Sequence, residues 1–195
     1  KIMIEHDLLS PIDFSNIPNH ANIDSAFTRL SFDPTGTFYV PYCYGITALV
    51  YNSDVIKEPV DSWEIMWNPD YKGRILMLDD IRDTFFAAYR CLGLAFDSNT
   101  NSLQKALELL LKQKPLLKKY ESNMTFEYLI NKDVYLAHTW NGSIARLNKE
   151  HPQFKMGLPK EGVSYFVDNL CIPKTAVNKK NAELFINFLY TPENA

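Results

Sequence analysis

The sequence predicts an α/β fold, and three observations carry that prediction. Short runs rich in β-branched and aromatic residues recur along the chain, among them Ile46–Tyr51, Ile75–Leu78 and Val134–Trp140. Segments with helical spacing and good end signals lie between them. Strands that alternate with helices pack as a largely parallel sheet with helices on its faces. The 195 residues are 46% hydrophobic and 13% aromatic, enough for a sizeable core and unlike a disordered chain.

The elements follow in order. Residues 1–37 are polar and turn-rich, broken by Pro11, Pro18 and Pro34. Phe38–Tyr42 and Ile46–Tyr51 read as two strands with a bend at Tyr44-Gly45, where glycine makes one cheap. Ser62 is a good N-cap for a short helix carrying Trp63 and Trp67, stopped by Pro69. A strand over 74–78 leads into a helix over 81–92, closed by Gly93. Asn101, with Gln104 three residues on, is close to a capping box. It would start a helix whose buried stripe is Leu103, Ala106, Leu107, Leu110 and Leu111, limited by Pro115. A short helix over 125–131, the strand Val134–Trp140, a turn at Asn141-Gly142 and a helix over 143–149 come next. Phe154–Leu158 and Asn169–Pro173 read as strands, and Asn178 caps a last helix with Ala182, Ile186 and Leu189 inside. The closing Thr191–Ala195 looks like the opening turn of a further helix, and Lys1 is not a starter methionine, so the chain is read as a piece of a longer protein.

Charge and composition exclude several functions. There are 20 basic and 23 acidic residues, a net charge of -3, and no basic patch of the kind that binds nucleic acid. No run approaches the roughly 18 apolar residues of a membrane-spanning helix. Cys43, Cys91 and Cys171 match neither a zinc nor a redox spacing and are expected to be buried free thiols. The histidines are scattered, and His138, in an alternating strand, is expected in the core.

What remains is a set of carboxylates near aromatics. Asp80 and Asp83 open the helix after Ile75–Leu78. Downstream lie Trp140-Asn141-Gly142-Ser143 and Tyr165-Phe166-Val167-Asp168. An organic cation needs anions to pair with ammonium groups and π-faces to cover its methylenes. The same aspartates are also what a helix N-terminus favours by itself, and Trp140 and Phe166 would ordinarily be packing residues. Asp168 sits in an apolar run, where a buried carboxylate needs a partner.

The chain resembles the spermidine/putrescine-binding proteins of bacterial polyamine ABC importers over essentially its whole length. The segments that carry the resemblance are Val40-Pro41-Tyr42 with Gly45-Ile46-Thr47-Ala48, Ser62-Trp63, Pro69-Asp70-Tyr71-Lys72-Gly73, Asp79-Asp80-Ile81-Arg82-Asp83, Trp140-Asn141-Gly142-Ser143, Pro159-Lys160-Glu161-Gly162 and Asp168-Asn169-Leu170. It implies the two-lobe type II periplasmic solute-binding fold. Residues 46–166 would be the complete C-terminal lobe, and 1–45 with 167–195 part of the N-terminal lobe. It implies ligand contacts from Asp80, Asp83, Ser122, Trp140, Phe166 and Asp168. Asp83 stands where relatives commonly carry Glu. Phe166 stands where spermidine-preferring members carry Trp, which inclines the expectation towards putrescine. No catalysis and no cofactor are expected. The expected partners are the polyamine and an inner-membrane permease, with no nucleic acid and a monomeric state. The expected location is the periplasm or a lipid anchor at the outer face of the cytoplasmic membrane. The alternatives are a solute-binding protein for a metal ion or other small cation, with Tyr42 and Tyr44 as its only hint, and a carbohydrate-acting enzyme using paired carboxylates.

Overall fold

The computed structural model describes residues 1–194, apart from the side chains of Ser143, Ala145 and Arg146. The chain divides into two compact units, Lys1–Tyr44 with Val167–Ala195, and Gly45–Phe166. Two strands carry the chain from one unit into the other: β1 (Val40–Asn52) and β6 (Tyr165–Leu170).

The Gly45–Phe166 unit is built on a sheet. Its further strands are β2 (Ile75–Met77), β3 (Leu117–Tyr120), β4 (Leu136–Trp140) and β5 (Phe154–Gly157), in the order β3-β2-β4-β1-β5. The sheet is mixed rather than largely parallel. β2 runs parallel to β3 and β4, but β1 pairs antiparallel with both β4 and β5. The strand–helix alternation holds only from β2 to β4, so only that half acquires parallel crossovers. Three readings of the strands are corrected. The strand expected over Asn169–Pro173 lies earlier in the chain, as β6. Tyr44-Gly45 is not a bend, because β1 is continuous through it. β3 carries no alternating pattern in the sequence, because two of its four residues are exposed lysines, Lys118 and Lys119.

Helix ends follow side-chain chemistry. In α2 (Ile81–Cys91) the Asp80 carboxylate accepts from the backbone N–H groups of Arg82 and Asp83 at 2.8 and 3.0 Å. Gly93, at φ +65°, takes the left-handed position past its end. α3 (Thr100–Gln113) starts two residues before the expected place, because Asn99, not Asn101, is the cap and accepts from Asn101 and Ser102 N–H. Of its expected stripe, Ala106 and Leu110 are buried, whereas Leu103, Leu107 and Leu111 are exposed. Ser62 caps Trp63–Trp67 as expected, but the turn is a 3-10 helix. α4 (Thr125–Ile130) and α5 (Ile144–Glu150) flank β4 in the chain.

One core cluster joins Leu49, Trp63, Met66, Ile75, Met77 and Leu136, and a second joins Val50, Leu76, Leu129, Ala137, Ile144 and Phe154. The alternation along β4 assigns Leu136 to one and Ala137 to the other. Trp63 is wholly buried, and its indole N–H donates to the Gly162 carbonyl at 2.8 Å. His138 is wholly buried, edge-on to Trp63 at 5.1 Å between ring centroids. Burial lowers its pKa to about 3, against an opposing pull from Asp80, so the imidazole is neutral near pH 7.

The other unit packs α6 (Lys179–Leu189) and the 3-10 turns of its first 27 residues around Ile12, Ile17, Val40, Ile172 and Ile186. A short helix α1 (Ile2–Glu5) opens the chain. Glu183 on α6 is buried, and its carboxylate accepts from Asp13 N–H at 2.9 Å and the Asn16 amide at 2.8 Å. These bonds satisfy a charge that burial would otherwise penalise. Asn178 holds the N-cap position of α6 without a side-chain bond. A turn follows α6 over residues 191–194, with Asn194 N–H donating to Thr191 at 2.8 Å. Ala195, the last residue of the expected further helix turn, lies outside the described residues. The thiols are free, but Cys43 and Cys171 are exposed and Cys91 is only partly covered, contrary to the buried expectation.

Candidate functional site

Three parallel strands end on one edge of the sheet, the place where open α/β sheets bind ligands. β2 leads to Asp79 and Asp80, β3 to Glu121 and Ser122, and β4 ends at Trp140. The Ser122 hydroxyl accepts from Asp79 N–H at 3.1 Å, which ties the ends of β2 and β3 together. Glu121 accepts from the N–H groups of Ser122, Asn123 and Met124 and pairs with Lys119 at 2.6 Å. The Ser122 loop is therefore held by its own neighbour.

Asp80 uses one carboxylate oxygen on the α2 cap and keeps lone pairs for a ligand. Asp83, one turn along, is half-buried. Burial raises its pKa, the Ser164 hydroxyl opposes this, the Asp80 charge adds to the rise, and the Trp140 side chain opposes it. An arriving ammonium would offset both the burial and the repulsion between the two aspartates. Trp140 is partly covered, and its side chain hydrogen-bonds the Asp83 carboxyl, so an aromatic side chain stands beside that carboxylate.

Asn141, directly after Trp140, accepts from Ile46 N–H at 2.9 Å through Oδ1. Thr47 N–H donates to the Ser164 carbonyl at 3.0 Å. Phe166 lies over Gly45 beside that Asn141 oxygen. Asp80, Asp83, Ser122, Trp140 and Phe166 thus all belong to the Gly45–Phe166 unit, four of them at the strand ends or the start of α2.

Asp168 belongs to the other unit. The expected burial is corrected: β6 leaves Asp168 exposed because neighbouring residues along the strand are only partly covered. Its carboxylate accepts from the Cys43 thiol at 3.4 Å. Cys43 also lines a cavity of about 480 Å³ within that unit, together with Asp24, Phe27, Tyr42, Tyr44 and Tyr190. The rings of Phe27 and Tyr44 stack there at 4.9 Å and 25°. Burial and the neighbouring Tyr42 raise the Tyr190 hydroxyl to about 12. The lining of this cavity is largely aromatic, with the Asp24 carboxylate among it.

Sequence reasoning assigned Ser164 no role, Asn141 only a turn and Cys43 only a buried thiol. Each acts through a contact distant in sequence, which no local signal reveals. Gly45 did stand out, but as a bend. Among the described residues no group of three or more His, Cys, Asp or Glu side chains is arranged to hold a metal ion. No helix among them is long and apolar enough to cross a membrane.

Comparison with known proteins gives the class. Residues 2–195 match the family model described as bacterial extracellular solute-binding protein, and the chain belongs to that family. Among curated proteins it is 34% identical over 197 residues to the spermidine/putrescine-binding periplasmic protein of Salmonella typhimurium, covering 99% of this chain and 56% of that one. Among solved structures it matches a putative spermidine/putrescine ABC transporter protein from Listeria monocytogenes with a TM-score of 0.93 and 32% identity, over 98% of this chain and 60% of that one. It also matches the TpPotD lipoprotein of Treponema pallidum with a TM-score of 0.90 and 30% identity, over 99% of this chain and 62% of that one. The chain therefore spans a little over half the length of the relatives it matches.

Proposed function

We propose that the complete protein is the substrate-binding component of a polyamine ABC importer, located outside the cytoplasmic membrane and delivering putrescine or spermidine to a permease. Gly45–Phe166 serves as one lobe, and the remaining residues belong to the other. The observation that carries this reading is the strand-end cluster of Asp80, Asp83 and Trp140, which sets carboxylates beside an aromatic side chain. The match to relatives named for spermidine and putrescine supports it. A linear diammonium is recognised by carboxylates at each end of an apolar slot, each charge-assisted contact contributing roughly 1.5–3 kcal/mol. Asp80 and Asp83 are the candidate carboxylates of one unit, and Asp168 is that of the other.

The test is calorimetry on Asp168→Asn in the complete protein. The exposed position of Asp168 means its loss leaves the ligand-free melting temperature nearly unchanged. Polyamine affinity should fall at least about tenfold, the equivalent of 1.4 kcal/mol. Wild-type affinity in this variant would remove Asp168 from the site.

A further inference from the structure

Gly45 lies in mid-strand, and its backbone is not in the left-handed region, so no dihedral requirement calls for glycine there. The requirement is space. A Cβ on Gly45 would stand 2.5 Å from Cζ and 3.0 Å from Cε1 of Phe166, and 2.7 Å from Oδ1 of Asn141. The first and last are closer than non-bonded carbon and oxygen atoms tolerate. Asn141 is not free to retreat, because the same Oδ1 accepts from Ile46 N–H at 2.9 Å. Withdrawal would leave that N–H without its acceptor. The Phe166 ring would therefore have to move. By contrast, a Cβ on the neighbouring Gly142 would meet nothing within 4 Å.

We propose that Gly45 is a positioning residue for ligand selectivity: its bare Cα is the seat of the Phe166 ring edge, and the ring's place at the ligand slot depends on that seat. The proposal rests on the polyamine reading above and adds what fixes one aromatic wall of the slot. Two elements share the seat. β6 supplies the ring, and the loop after Trp140 supplies Asn141, so a displacement at Gly45 is felt by the ring and by the segment that follows the second aromatic. A merely structural glycine would affect stability alone. A seat for a ligand-facing ring also changes how different polyamines are ranked, because the ring's distance from a third amine changes.

The experiment is a double-mutant cycle in the complete protein, with Gly45→Ala and Phe166→Leu singly and together. Calorimetry with putrescine and with spermidine gives the affinities, and thermal melting gives the ligand-free stability. Gly45→Ala alone should lower affinity about tenfold or more and alter the putrescine-to-spermidine ratio, as displaced binding groups do. In the Phe166→Leu background, where the ring is absent, the same substitution should cost about threefold or less. Should Gly45→Ala fail to fold alone but fold in the double variant, that rescue supports the seat. An equal penalty in both backgrounds, an unchanged affinity ratio, or loss of folding in both overturns the proposal. A wild-type protein that binds neither polyamine removes the reading beneath it, and the proposal falls with that reading.

Discussion

Replacing Trp63 with alanine should destabilise the complete protein by about 3–5 kcal/mol, the range for losing a fully buried aromatic. The indole is wholly buried among Leu49, Met66, Ile75 and Leu136, and it packs edge-on against His138. Its removal leaves a cavity and strips the Gly162 carbonyl of the donor it holds at 2.8 Å. Gly162 is itself exposed, so water can replace the lost donor, and the cost lies in the lost burial and the cavity. Urea denaturation followed by circular dichroism should show a large fall in midpoint. A change under about 1 kcal/mol would mean that the site repacks freely, against the density of a native core. Trp140→Ala supplies the contrast. Trp140 is only partly covered, so its loss should leave the urea midpoint nearly in place and reduce polyamine affinity instead.

The second large effect is expected at Asp80, where two roles are superposed. The side chain caps α2 and, on the proposed reading, pairs with an ammonium. Asp80→Asn separates them. The amide oxygen can still accept from Arg82 and Asp83 N–H, so the cap survives, but the charge is gone. Polyamine affinity should fall about ten- to hundredfold, in line with losing a charge-assisted contact of roughly 1.5–3 kcal/mol. Stability should change little. Asp80→Ala should show the same affinity loss together with about 0.5–2 kcal/mol of destabilisation from the lost cap. If Asp80→Asn binds polyamine as tightly as wild type while Asp80→Ala only loses stability, Asp80 is a cap and nothing more.

The two roles of Asp80 also show what could be read from the chain. A carboxylate one residue before a helical pattern, with Gly93 after it, announces both ends of α2, because capping chemistry is local. Asn99 and Asn101 show the limit. Both are good caps two residues apart, and the near match to a capping box favours Asn101, yet the Asn99 side chain takes the free N–H groups. On α3 two apolar ridges compete, and the packing covers Ala106 and Leu110 while leaving Leu103, Leu107 and Leu111 exposed. Periodicity gives the spacing of a stripe but not which stripe a neighbour covers. β3 was invisible because an edge strand with two outward lysines carries no alternation. The antiparallel half of the sheet was equally hidden, since strand direction follows from where β1 enters, not from its composition.

For the site, the residues with chemistry were legible and their supports were not. Aspartates near aromatics can be found in a sequence. That Asn141 holds Ile46, that Ser164 opposes the rise in Asp83's pKa, or that Cys43 donates to Asp168 depends on pairs about 80 to 125 positions apart. The expectation that Asp168 is buried came from its apolar neighbours in sequence. A strand of partly covered residues exposes it all the same.

The most direct test of the central claim is calorimetric titration of the complete wild-type protein with putrescine and with spermidine, each at low and at moderate salt and one pH. The account predicts saturable binding of at least one polyamine with a Kd of about 1 μM or tighter, roughly -8 kcal/mol. Putrescine should bind at least as tightly as spermidine, because Phe166 offers the additional amine a weaker face than tryptophan. Added salt should weaken the binding only modestly, since buried ion pairs are less screened than exposed ones. No saturable heat with either polyamine would contradict the account.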